Sequence, residues 1–212
     1  MKYKGVIFDL DGVICFTDRF HYQAWKKLAD RLGIYFDETI NNRLRGVSRM
    51  ASLEIILEKA DHAYSSEEKE AFCEEKNASY RELLKTMSPA DLADEVRETL
   101  LELRQRSCKL AIGSSSKNTK FILERIGLGD FFDAIVDGND ITHSKPHPEV
   151  FLKAAGALGY FPQNCLVVED ALAGIQAAKA GGMAAAALHG DAEHCGLEDY
   201  DLNTFGDLLA IV

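Results

Sequence analysis

Tyr3-Lys4-Gly5-Val6-Ile7-Phe8-Asp9-Leu10-Asp11-Gly12 is the stretch on which the fold turns. The apolar run from Tyr3 to Phe8 reads as a buried strand, and Gly12 breaks it just past two aspartates at spacing two. Asp9 and Asp11 are therefore expected side by side where a buried strand opens onto solvent. Adjacent carboxylates there repel, and burial penalises both unless something cationic sits with them. Oxygen-only ligands select a hard divalent ion such as magnesium. With that charge screened, one carboxylate is free to attack an electrophile such as phosphorus. Read alone, the pair also fits a strand-end turn, because Asp-Gly is an ordinary turn signal.

Downstream of this motif the chain divides in two. From Thr17 to about Met87 every periodic segment is helical. Thr17 or Asp18 caps a helix through Trp25 to Leu32, which Gly33 stops. A shorter helix fits between Asp37 and Leu44, Ser48 caps a third, and Ser65-Ser66-Glu67-Glu68 opens a long fourth as a capping box. Ser88-Pro89 ends the pattern. Beyond Asp94, helix and strand alternate, with strands expected at Lys109–Gly113, Ala134–Val136, Leu166–Val168 and Ala184–Leu188. That alternation predicts an α/β fold, a doubly wound parallel-sheet core interrupted after its first strand by a four-helix cap. The core takes residues 1–15 and 93–212, the cap residues 16–92, and the two crossings between them make a hinge.

Ligands in such a sheet bind beyond the carboxyl ends of the strands, and here each end carries polar residues. Ser114-Ser115-Ser116-Lys117-Asn118 follows one strand and opens a helix, a ready anion site. Ser144-Lys145-Pro146 and the pair Glu169-Asp170 follow two others. Taken singly, these are ordinary helix caps and solvated charges. Taken together they make a phosphoryl-transfer site: carboxylates for magnesium, Lys145 and Ser114 for phosphoryl oxygens, Asp9 as nucleophile and Asp11 as general acid/base.

Asp9-Leu10-Asp11-Gly12, Ser114, Lys145 and Glu169-Asp170 resemble the four motifs of the haloacid dehalogenase superfamily of aspartate-nucleophile phosphotransferases. Within it, nearly the whole chain resembles the β-phosphoglucomutase family. The resemblance implies a Rossmann-like core and reversible conversion of β-D-glucose 1-phosphate to glucose 6-phosphate, with β-glucose 1,6-bisphosphate as intermediate and activator. It implies Mg2+ on Asp9, Asp11, Glu169 and Asp170. Thr17 matches the family's hinge threonine, and His21 its histidine in contact with Asp11. Leu44, Gly46, Val47, Ser48 and Arg49 match the substrate loop, Arg49 being the distal phosphate ligand. Trp25, Ser52 and Lys76 fall on the sugar side, and Ser115, Ser116, Lys117 and Asn118 on the core side of the distal site. Physical reasoning agrees, because a bisphosphate held in two opposite orientations needs a second cationic site, which Arg49 and Lys117 supply. Standing alone, Arg49 would read as a solvated arginine and His21 as a helix-surface histidine. Phe16 and Ala171 depart from the family pattern, where a small polar or acidic residue and a serine are usual. A sugar-phosphate phosphatase with water as acceptor is the alternative, and a sugar-phosphate sensor without turnover a more distant one.

Whole-chain properties are consistent with this reading. A hydrophobic content of 47% over 212 residues is enough for a sizeable core, and a net charge of −10 argues against nucleic acid or an anionic membrane as partner. Five scattered cysteines with no Cys-x-x-Cys suit a reducing compartment. With neither a signal-peptide layout nor a long apolar span, a cytoplasmic monomer acting on a small phosphorylated sugar is expected. The loop of His189, His194 and Cys195 is expected to hold no zinc, and His143 and His147 are expected to be solvated.

Overall fold

A computed structural model describes residues 2–44 and 47–212. In chain order the elements are β1 (Gly5–Phe8), α1 (Asp18–Leu32), α2 (Glu38–Asn42), α3 (Arg49–Leu57) and α4 (Ser66–Leu84). They continue with α5 (Asp94–Gln105), β2 (Lys109–Gly113), α6 (Thr119–Arg125), β3 (Ala134–Val136) and α7 (Glu149–Leu158). The chain closes with β4 (Cys165–Glu169), α8 (Leu172–Ala180), β5 (Ala184–Leu188), β6 (Tyr200–Leu202) and α9 (Leu208–Ile211). Every strand pairing is parallel, in the order β3-β2-β1-β4-β5-β6.

β1 is central, flanked by β2 and β4, and all four of its residues are buried. A strand covered on both faces must be apolar throughout, which is why Gly5-Val6-Ile7-Phe8 shows no alternation. The chain winds outward from β1 to β3 on one side, then returns to build β4, β5 and β6 on the other. The order therefore reverses at β1, and a crevice opens at its carboxyl end. Two apolar layers sandwich the sheet. Phe8, Leu110 and Val168 face one, with Leu100 and Phe205; Ile7, Ala111 and Val167 face the other, with Phe151 and Ile175.

Helices α1 to α4 have a separate core of Trp25, Leu28, Leu53, Ile56 and Cys73, and α1 packs on α4. Local signals set their ends. Gly33, at φ 70°, closes α1 by donating to Ala29 and Asp30. Asp37 and Ser48 cap α2 and α3, and Ser65 with Glu68 forms the capping box of α4. Thr17 differs from expectation: it occupies the N-cap position of α1, yet its hydroxyl makes no capping bond. It donates to Asp11 instead. β6 and α9 were not expected, because three residues with a central aspartate are too short to show a period. No helix of the described residues is long and apolar enough to cross a membrane.

Candidate active site

Asp9 leaves the end of β1 with its N–H on the Val168 carbonyl of β4 (3.0 Å), which fixes the carboxylate at the crevice. Lys145, only 4% exposed, reaches it from the turn before α7 and bonds both Asp9 and Glu169. Burial pulls the Lys145 ammonium down, but these two carboxylates outweigh it and hold the group above the usual lysine range. Beneath it lies the Phe151 ring, 4.7 Å from Nζ, admitted because a side chain at Gly113 would come within 2.8 Å of that ring. The second oxygen of Glu169 accepts the N–H groups of Asp170 and Ala171, each at 2.9 Å. Ala171 thus serves through its backbone, and the departure from serine leaves that bond in place.

Asp9, Glu169 and Asp170 each offer an oxygen, all within 4.8 Å of one another. Burial first, then the Glu169 and Asp9 charges, push Asp170 up to about 9, and burial pushes Glu169 up to about 7. Two glycines make room for this cluster. A Cβ on Gly12, at φ 94°, would fall 2.1 Å from the Asp170 carboxylate, and one on Gly174 would fall 1.9 Å from that of Glu169. An all-oxygen donor set with surplus negative charge, cradled by glycines, fits a hard divalent ion such as magnesium.

The Asp11 side chain is not brought into that group. Half-buried, it takes the Thr17 hydroxyl, and burial followed by the Asp9 charge pushes it up to about 7. A carboxyl titrating near neutrality can both give and accept a proton. His21 packs against Tyr80 with the rings tilted and their centroids 4.1 Å apart, and holds its Nδ1 2.8 Å from Lys76 Nζ. Among the described residues, its hydrogen bond therefore runs to Lys76, whereas the family pattern led us to expect Asp11. Burial, then the Lys76 and Arg49 charges, keep this imidazole well below its usual range, hence neutral. Lys76 Nζ sits 4.7 Å from the Trp25 ring and 4.5 Å from that of Tyr80, and burial, then Arg49, pull it down to about 7. The buried Tyr80 hydroxyl lies beside Thr17 without a well-formed hydrogen bond.

Beyond β2, the Ser114 hydroxyl accepts the Ser116 N–H (3.1 Å) and the Ser116 hydroxyl that of Asn118 (3.2 Å), so a chain of turns opens α6. The Ser115 hydroxyl is buried with no partner. Asn77 of α4 was not expected, yet its Oδ1 accepts from Arg49 and from Asn118, both at 2.9 Å. Arg81 adds a 3.3 Å bond to the Asn118 oxygen. The signal for these residues lies in α4, whose buried stripe carries Lys76 and Tyr80 where an ordinary core helix is apolar. Trp25, Leu44, Val47, Ser48, Ser52 and Lys117 line the same cleft, which has a volume of about 410 Å³. Gly46 lies outside the described residues.

Comparison with known proteins agrees with the geometry. A family model described as haloacid dehalogenase-like hydrolase matches residues 3–182. Over 182 residues the chain is 42% identical to a β-phosphoglucomutase of Bacillus subtilis (strain 168), covering 85% of this chain and 80% of that protein. It is 35% identical to a fructose-1-phosphate phosphatase of Escherichia coli (strain K12), covering 86% and 94%. A crystal structure of β-phosphoglucomutase from Clostridium difficile superposes with a TM-score of 0.90 at 38% identity, covering 97% of this chain and 93% of that one. The chain belongs to the haloacid dehalogenase-like hydrolases.

Proposed function

We propose that this protein is a magnesium-dependent β-phosphoglucomutase interconverting β-D-glucose 1-phosphate and glucose 6-phosphate. The observation that carries this reading is that more than one cationic group lines a single cleft. Lys145 lines it bonded to Asp9, and Arg49, tied through Asn77 to Asn118, lines it with Lys117. A phosphatase needs one phosphate site, whereas a mutase must hold a bisphosphate by either end. The 42% identity to a β-phosphoglucomutase supports the same choice.

In the proposed reaction an Asp9 oxygen attacks phosphorus in line, and the bond from phosphorus to the sugar oxygen breaks. Asp11 gives its proton to that leaving oxygen. In the opposite sense, Asp11 removes the proton of the other sugar hydroxyl as it attacks the aspartyl phosphate, so β-glucose 1,6-bisphosphate is formed and consumed by one pair of residues. Lys145 and Ser114 hold the transferring phosphoryl oxygens. Asp9, Asp170 and Glu169 would hold magnesium, whose charge would screen the carboxylates and the phosphoryl oxygens. His21 and Lys76 orient the sugar beside Trp25, and Thr17 fixes Asp11. Residues 16–92 act as a cap on the core, hinged near Ile14–Thr17 and Met87–Ala93, and closure keeps water from the aspartyl phosphate. Five free thiols fit a reducing cytoplasm, and a cleft completed within one chain fits a monomer.

Phosphorus NMR of β-glucose 1-phosphate with enzyme, magnesium and a trace of the 1,6-bisphosphate tests this directly. Conversion to glucose 6-phosphate with little inorganic phosphate is expected. Release of inorganic phosphate as the main product would make the enzyme a phosphatase, the activity named for the Escherichia coli relative.

A further inference from the structure

The turn that carries Lys145 gathers two imidazoles and a carboxylate outside the cleft. His143, His147 and Glu149 each present one ligand atom, and these atoms lie within 4.8 Å of one another. His143-Ser144-Lys145-Pro146-His147 has the His-x3-His spacing that puts two ligands on one turn. Both rings are exposed, yet they lie together with centroids 4.6 Å apart.

Glu149 is held firmly for a residue at the surface. Its carboxylate accepts the N–H of Thr142 at 3.1 Å and that of His143 at 2.8 Å, and Lys153 reaches it at 2.6 Å. The Lys153 bond first, then the His143 N–H, hold the carboxyl down at about 2, so it is ionised throughout the neutral range. Its Oε2 lies 3.3 Å from Nδ1 of His143. Two ligands about 2.0–2.1 Å from a tetrahedral ion stand roughly 3.3 Å apart. This pair therefore already has the separation of two corners of a tetrahedral site. His147 Nδ1 accepts only a long 3.3 Å contact from the Glu149 N–H, and rotation of its exposed ring brings a third nitrogen to the same point.

We propose that His143, His147 and Glu149 bind a divalent transition-metal ion of the zinc class, with water in the remaining position. Imidazole nitrogens suit zinc, nickel or copper, whereas magnesium prefers oxygen donors. The site is thus chemically distinct from the carboxylate cluster at Asp9. A bound ion would tie together the residues on either side of Lys145 and brace the turn that aims it.

Isothermal titration of Zn2+ into the magnesium-saturated enzyme is the test, with H143A/H147A in parallel and thermal melts to check that both proteins fold. We expect a binding event in the wild type that the double variant lacks. Losing even an outer partner of a metal ligand costs about 10- to 100-fold in affinity, so each single variant should weaken binding at least that much. The imidazole proton signals of both histidines should shift as Zn2+ is added. Zinc that displaces magnesium from the carboxylates appears in both proteins and cancels. Identical isotherms for the two proteins, or unmoved signals from these two rings, would overturn the proposal. Either result leaves the phosphorus NMR test of turnover unaffected.

Discussion

At the scale of the residue, the site works by giving three neighbouring aspartates different environments. Asp9 faces an ammonium, Asp170 faces other carboxylates, and Asp11 faces the Thr17 hydroxyl. In the proposed reaction, one residue type thereby takes the roles of nucleophile, cation ligand and proton carrier. The role of Asp11 can be isolated. Asp11→Asn should slow phosphoryl transfer to a sugar hydroxyl by about 10²–10⁴-fold, the usual contribution of a positioned acid or base. Phosphorylation of Asp9 by an acyl phosphate, whose leaving group needs no proton, should change far less. Rapid-quench measurement of both half-reactions checks this, and equal losses would remove Asp11 from proton transfer.

Among the elements, α4 has a double task. Its N-terminal capping box and the contact with α1 are ordinary helix construction, while Lys76 and Tyr80 line the cleft and Asn77 and Arg81 bond Asn118. Asn77 bridges the helices to the core, since Arg49 belongs to α3 and Asn118 stands at the start of α6. Asn77→Ala removes a partner from a guanidinium, a bond of about 1.5–3 kcal/mol. It should raise KM for the 1,6-bisphosphate roughly tenfold or more, since about 1.4 kcal/mol is a factor of ten. Hydrolysis of a small aryl phosphate, which does not reach Arg49, should be nearly unchanged in steady-state assays. This is also the scale at which the sequence is most and least readable. β2, β3 and β5 end where expected, because a buried parallel strand is a short apolar run between breakers. The polar segments at the strand ends were readable for the same reason: a known topology fixes where each points. Asn77 and the ring cage around Lys76 were not, because they depend on how helices far apart in sequence meet. Local signals favour Thr17 or Asp18 as the cap of α1, and for the Thr17 hydroxyl the tertiary contact with Asp11 prevails.

Across the whole molecule, activity and stability pull in opposite directions at the switch point. The sheet brings Asp9, Glu169 and Asp170 together with a single ammonium among them, so without a divalent ion the folded state must hold Asp170 protonated near pH 7, a cost the unfolded chain does not bear. Asp170→Asn should therefore stabilise the chelator-treated protein by about 1–3 kcal/mol in urea unfolding near pH 7. The same substitution should abolish the rise in Tm that magnesium gives the wild type. A variant no more stable than wild type in chelator would show that Asp170 costs the folded protein nothing.

The central position of β1 also sets the order in which the chain can fold as it is made. Residues 5–8 are synthesised early, yet their neighbours in the sheet begin at Lys109 and Cys165. At about 5–20 residues per second, the ribosome needs roughly 8–30 s to deliver the second neighbour. For roughly the first 5–20 s of that time, until β2 is made, the first strand has nothing to pair with, whereas α1 to α4 already possess a core of their own. The helices can be complete before the sheet that holds Asp9 exists, and the nascent chain must keep an apolar strand from foreign partners until its own last neighbour emerges.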